Sequence, residues 1–292
     1  MRTIFFKSAV GLLFLAGLSF SASAQKVTDL QEVSIYAPQL TKADGKNNEW
    51  ANATFAVNKR TSISYLISND DKNLYLVIKS SDVANNTKIM AGGITLSINP
   101  EGKKNEKESI TLTYPLINRA QFRGGQGGGR RIAGMQGGFG GGRAQMNQKQ
   151  RDSTMAAMQR TQLAQVKEIK IKGFKNTTDT LVSIYNDLGI KAAASIDKDN
   201  VFFYEAAIPL EALGMSVNDN KQFAYNVKLN GLQLQGFDGP GGGGGNFGGG
   251  GGRGNGGPGG GGFGGGAPRG GIDFQALISP TDFWGKYTLT KK

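Results

Sequence analysis

Apolar and polar side chains alternate with a period of two over most of this chain, the pattern of strands with one face turned inward. Residues 33–36 and 54–57 are the first short candidates. The run Ser62-Ile63-Ser64-Tyr65-Leu66-Ile67, the polar turn Asn69-Asp70-Asp71-Lys72-Asn73 and Leu74-Tyr75-Leu76-Val77-Ile78-Lys79 predict a hairpin. Ile94, Leu96 and Ile98 then share one face and Thr95 and Ser97 the other. After a turn at 100–105, Ile110, Leu112 and Tyr114 repeat the alternation on a return strand. Further strands are predicted at 168–172, 180–185, 192–196, 201–208, 223–229 and 283–289. The lysines flanking Ile169 and Ile171 suit a sheet edge.

Two segments break the period. Met155, Met158, Leu163 and Val166 fall on one helical stripe within 144–166, which predicts a surface helix. Pro209 followed by Leu210-Glu211-Ala212-Leu213-Gly214 predicts a single helical turn, with Pro at its first position and Gly closing it. Roughly ten short strands with one helix make the fold class all-β, an immunoglobulin-like or jelly-roll-like antiparallel β-sandwich.

Composition places this sandwich in a chain with two insertions. Of the 46 glycines, 11 lie between 124 and 142 and 24 between 236 and 271. Insertions at about 119–151 and 236–271 are therefore expected to stay disordered, since they bury too little apolar surface to offset the entropy of ordering. The first 24 residues carry Arg2 and Lys7, an apolar run from Ala9 to Leu18, and Ala22-Ser23-Ala24, the order of a secretory signal peptide. The expected organisation is a signal peptide at 1–24 and one sandwich domain at 25–292, exported to the periplasm or cell exterior. No stretch approaches the ~20 apolar residues of a transmembrane helix. With no cysteine, the fold rests on its core alone.

Charge follows the same partition. Residues 119–151 hold Arg119, Arg123, Arg130, Arg131, Arg143, Lys149 and Arg151 with no acid, so most of the net charge of +12 belongs to the insertions and the leader. Arg119, Arg123, Arg130, Arg131 and Arg143 are candidates for contacting an anionic polymer. Arg-Gly-Gly steps with Phe139, Phe247 and Phe263 interleaved resemble segments that hold single-stranded nucleic acid, a partner that export argues against.

The chain has no histidine and no cysteine, which removes the usual general base near neutral pH, most zinc sites and the Ser-His-Asp and Cys-His arrangements. The acid clusters, Asp70 with Asp71, Glu101 with Glu106 and Glu108, and Asp197 with Asp199, all fall in predicted turns, so no catalytic residue is assigned and the chain is read as non-enzymatic. Met90 and Met215 are the only candidate haem ligands near core strands, too few to support that reading. No cofactor is expected apart from a structural calcium, for which Asp70, Asp71 and Asp82 are the candidate ligands.

Five landmarks in order, Asp44-Gly45 through Trp50, Leu74-Tyr75-Leu76-Val77-Ile78, Gly93-Ile94 through Gly102, Glu205 through Gly214, and Trp284-Gly285-Lys286-Tyr287, resemble the family 9 carbohydrate-binding modules and the DOMON-like sandwiches related to them. The resemblance covers about 33–116 and 166–292. It implies an exported, non-catalytic module that binds polysaccharide or another glycan, linked to carbohydrate breakdown, with a metal ion supporting the fold. Asp44, Trp50, Pro209 and Trp284 sit at landmark positions and are expected to be structural. The sugar-contacting residues are not assigned by it. The alternative is an envelope or surface interaction protein that grips anionic polymers through the basic loops.

Overall fold

The computed structural model describes residues 28–117, 148–232 and 274–292. The five arginines proposed for polymer contact and nearly all of both glycine-rich insertions lie outside the described residues. The described chain forms an all-β sandwich of two antiparallel sheets.

The first sheet has the order β1 (Ala56–Asn58), β2 (Ile63–Asn69), β3 (Asn73–Ser80), β9 (Phe202–Pro209), β8 (Lys191–Ile196). The second has the order β11 (Thr281–Thr288), β10 (Gln222–Leu229), β4 (Ile94–Asn99), β5 (Ile110–Tyr114), β6 (Glu168–Lys172), β7 (Leu181–Ser183). Inward side chains of both sheets, among them Tyr65, Leu76, Leu96, Tyr204 and Tyr225, merge into one buried cluster. Helix α2 (Gln148–Ala164) adds Ala156 and Leu163 to it. The Arg160 guanidinium on that helix donates to the carbonyls of Ile196 (2.8 Å) and Asp197, at the β8–β9 turn.

The five-stranded sheet is apolar on both faces, and the segment before β1 covers the outer one. Trp50 packs there with Leu66, Tyr75, Val77, Phe203 and Ala207. Gln31 fixes the start of this wrap by imitating a neighbouring strand. Its amide N–H donates to the Ile67 carbonyl (2.7 Å) and its carbonyl accepts from the Ile67 N–H (2.8 Å).

Several expectations need correcting. Residues 33–36 form no strand and contribute only a parallel bridge between Tyr36 and Asn69, because from Ala37 on the segment packs over the outer face of the sheet. The lysine-flanked β6 is not an edge, since β7 pairs beyond it. Helix α1 (Val83–Gly92) and the short α4 (Phe274–Ile278) break the strand pattern without a strong apolar period. Pro209 ends β9 and stands before α3 (Leu210–Leu213) as its N-cap, with φ −56°, rather than inside the first turn. Trp284 does not belong to the core. In β11 the inward positions are Phe283, Gly285 and Tyr287, so Trp284 points outward and is only partly buried.

Candidate functional site: the outer face of the six-stranded sheet

Strand register builds this face as rows of side chains. Paired positions place Trp284 beside Asn226, Asn226 beside Ser97, Ser97 beside Thr111, and Thr111 beside Lys172. The next row runs Asp282, Lys228, Thr95, Thr113, Lys170. Each of these positions alternates with a core residue, so the sequence that fills the interior with Leu96, Leu112 and Val227 necessarily turns Ser97, Thr111 and Asn226 the other way.

Most polar groups of this face are paired. Thr95 and Thr113 share a hydrogen bond between hydroxyls at 2.7 Å. The Asn226 amide donates to Asp282 Oδ2 (2.8 Å) and to the Phe283 carbonyl (3.0 Å), which fixes its orientation. Asp282 also meets Arg60 at 3.5 Å. Two buried atoms of this face are the exception: Ser97 Oγ and Asn226 Oδ1 lie on directly opposed residues and have no hydrogen-bond partner. Leaving such groups unpaired costs about 1–3 kcal/mol each. One hydroxyl placed between them would resolve both, donating to the amide oxygen and accepting from the serine, as would a water.

An ion pair spans this spot. Lys228 lies two residues along β10 from Asn226 on the same face, while Glu106 belongs to the β4–β5 connection beyond Asn99, at the opposite end of the face. The ammonium of Lys228 donates to Glu106 Oε1, so the pair joining them crosses the Ser97–Asn226 row. That connection is held by Asn99 Oδ1, which accepts from the Glu101 N–H (3.0 Å), and by Asn105, whose carbonyl accepts from the Ser109 hydroxyl (2.7 Å).

Apart from Trp284, the described residues singled out from the sequence occupy other places. Asp70 is consumed by its own turn: Oδ1 accepts from the N–H groups of Lys72 (2.7 Å) and Asn73 (2.6 Å), and Oδ2 from the Tyr75 hydroxyl (2.7 Å). Burial alone would raise this carboxyl, but those donors hold it below its ordinary value. Asp71 is exposed in the same turn. Asp82 lies at the other end of β3 as the N-cap of α1, accepting from the Asn85 N–H at 2.7 Å. Among the described residues, no three acidic side chains converge on one point.

Asp44 and Trp50 meet at a carboxylate that the sequence reading placed in a landmark but gave no role. Glu205 on β9 is 2% exposed, under the N-terminal wrap. Its Oε1 accepts from the Trp50 indole N–H (2.6 Å), and its Oε2 from the N–H groups of Gly45 (2.8 Å) and Asp44 (3.2 Å). Burial pushes this carboxyl up to about 7; the Trp50 and Gly45 donors pull it down, and the Asp44 and Glu49 charges add to the rise. With its oxygens turned to the wrap, Glu205 acts as an anchor. The available signal was a lone acid inside the apolar run Phe202-Phe203-Tyr204-Glu205-Ala206-Ala207-Ile208.

Fold and site together define a β-sandwich that offers a polar sheet face with one outward indole. No protein-family model matches the chain, and no curated protein matches it. Among solved structures it is similar to a carbohydrate binding module family 9 (CBM9) from Caldicellulosiruptor kristjanssonii in complex with glucose, at 8% identity and TM-score 0.37, over 89% of this chain and 96% of that one.

Proposed function

We propose that the protein is an exported, non-catalytic carbohydrate-binding module, serving polysaccharide breakdown, and that it holds its glycan on the outer face of the six-stranded sheet. The observation that carries this reading is the buried, unpaired pair Ser97 Oγ and Asn226 Oδ1 beside the outward Trp284. An indole offers a flat apolar surface for the face of a sugar ring, and a hydroxyl can pair with both orphaned polar atoms. Thr111 extends this row, and Thr95 and Thr113 add a second row beside it, an area that suits a chain of sugars rather than a compact metabolite. The leader-like residues 1–24 support export, and no described helix is long and apolar enough to cross a membrane.

Affinity electrophoresis on immobilised neutral and acidic polysaccharides tests the reading. Trp284→Ala should abolish retardation while changing stability by less than about 1 kcal/mol, as expected of a partly exposed side chain. Ser97→Ala should weaken binding by about 1 kcal/mol and leave stability unchanged or improved, since it deletes a hydroxyl that pairs with nothing in the fold. Glycan binding unaffected by both substitutions would place the site elsewhere.

A further inference from the structure

We infer that the Glu106–Lys228 ion pair is an internal stand-in for the ligand, and that the glycan this face takes is acidic, carrying a carboxylate that displaces Glu106 from Lys228. This rests on the reading of the outer face as the glycan surface and names its substrate class.

The pair has the asymmetry of a replaceable cap. The Lys228 side chain is 21% exposed and the Glu106 side chain 51%, so the ammonium lies low on the sheet with the carboxylate above it. Lys228 is fixed to β10 between Asp282 and Thr95, whereas Glu106 comes from a short connection and can swing away without breaking a strand. While the pair is closed, it lies over the orphaned Ser97 and Asn226 atoms. Opening it alone would strand a half-buried ammonium, which is unfavourable. Exchange of one carboxylate for another keeps the charge-assisted bond and frees the space beneath. A sugar acid bound in this way sets its carboxylate on Lys228, a neighbouring hydroxyl between Asn226 Oδ1 and Ser97 Oγ, and its ring toward Trp284.

The rest of the face carries more cations than acids. Lys170, Lys172 and Lys286 are exposed on it with no ion-pair partner among the described residues. Of its acids, Asp282 is already engaged by Arg60 and Asn226, and Glu168 stands exposed at the start of β6. A polyuronate repeats its carboxylate along the chain, so successive units can meet Lys228 and then the lysines of the same rows.

The test compares polygalacturonate, hydroxyethyl cellulose and dextran sulfate as ligands in titration calorimetry with the full mature chain. Removing the internal competitor by Glu106→Gln should tighten polygalacturonate about two- to fivefold, the equilibrium equivalent of an exposed ion pair. Lys228→Gln should weaken it roughly tenfold or more, with circular dichroism confirming the fold. Changing Arg119, Arg123, Arg130, Arg131 and Arg143 together to Gln should leave the Glu106 and Lys228 effects intact. Glu106→Gln lies on an exposed turn and keeps the test decisive if the Lys228 variant does not fold. Binding of hydroxyethyl cellulose that is lost in Trp284→Ala but indifferent to Glu106→Gln and Lys228→Gln would overturn the acidic-ligand inference and leave the glycan surface standing. Equal binding of dextran sulfate and polygalacturonate, both independent of Lys228, would reduce the effect to general polyanion attraction and also overturn it. No binding of any of the three would defeat the glycan surface itself.

Discussion

Glu205 sets two physical effects against each other, and pH decides between them. Burial under the N-terminal wrap raises its carboxyl to about 7 from an unfolded value of 4.5, while three N–H donors favour the charged form. With the folded pKa above the unfolded one, the native state holds the extra proton between pH 4.5 and 7. Stability should therefore be greatest below pH 4.5 as far as this group is concerned, fall as pH rises through the window, and level off above 7. At about 1.4 kcal/mol per pH unit, the whole fall amounts to at most about 3 kcal/mol. Glu205→Gln imitates the protonated group at every pH, so the cost of this substitution should shrink by up to that amount between pH 5 and pH 8. Urea unfolding can be followed by tryptophan emission, because Trp50 is buried against Glu205 and Trp284 is the only other indole. The Asp44 and Glu49 charges face the same carboxyl, so wild type and variant are compared at each pH. A wild-type stability that rises from pH 5 to pH 8, with the rise abolished in Glu205→Gln, would refute the reasoning and show that the three donors outweigh burial.

Trp50→Ala should cost about 3–5 kcal/mol, since it empties a large buried aromatic site and takes a donor from Glu205; denaturant midpoints measure it, and a loss under 1 kcal/mol would mean that the wrap contributes little. Gly285→Ala should destabilise by about 1–3 kcal/mol, because a Cβ there would lie 2.2 Å from the Tyr225 ring, which fills the space that this inward position of β11 leaves open. A melting temperature unchanged by Gly285→Ala would show that the ring can move aside.

The strands were legible because period-two alternation is a local property, and β2 to β5 and β8 to β10 follow directly from it. Helix α1 was not, because Asn85, Asn86 and Lys88 interrupt its apolar period. Asn86 and Lys88 are buried all the same, since distant residues meet them: Asn86 donates to the Asn200 carbonyl (3.2 Å) and Lys88 to the Thr281 hydroxyl (3.1 Å). Alternation in 283–289 showed that Trp284 and Tyr287 lie on opposite faces, but not which face is the core. That choice depends on Phe223 and Tyr225 of β10, which pair with Tyr287 and Gly285 across the sheet.

The candidate site shows the same division more sharply. Ser97 and Asn226 are ordinary outward positions of two strands separated by more than a hundred residues. Nothing local to either tells that they are opposed, buried and unpaired. Glu106 and Lys228 read in sequence as solvated charges, and only the β4–β10 register sets one over the other's row. The chain alone specified most of its strands, its two glycine-rich tracts and the absence of histidine and cysteine chemistry, because each is a matter of composition or near-neighbour pattern. The tertiary structure decided the pairing of strands, and with it the anchor at Glu205 and the polar face around Trp284, because those depend on contacts whose partners are remote in sequence.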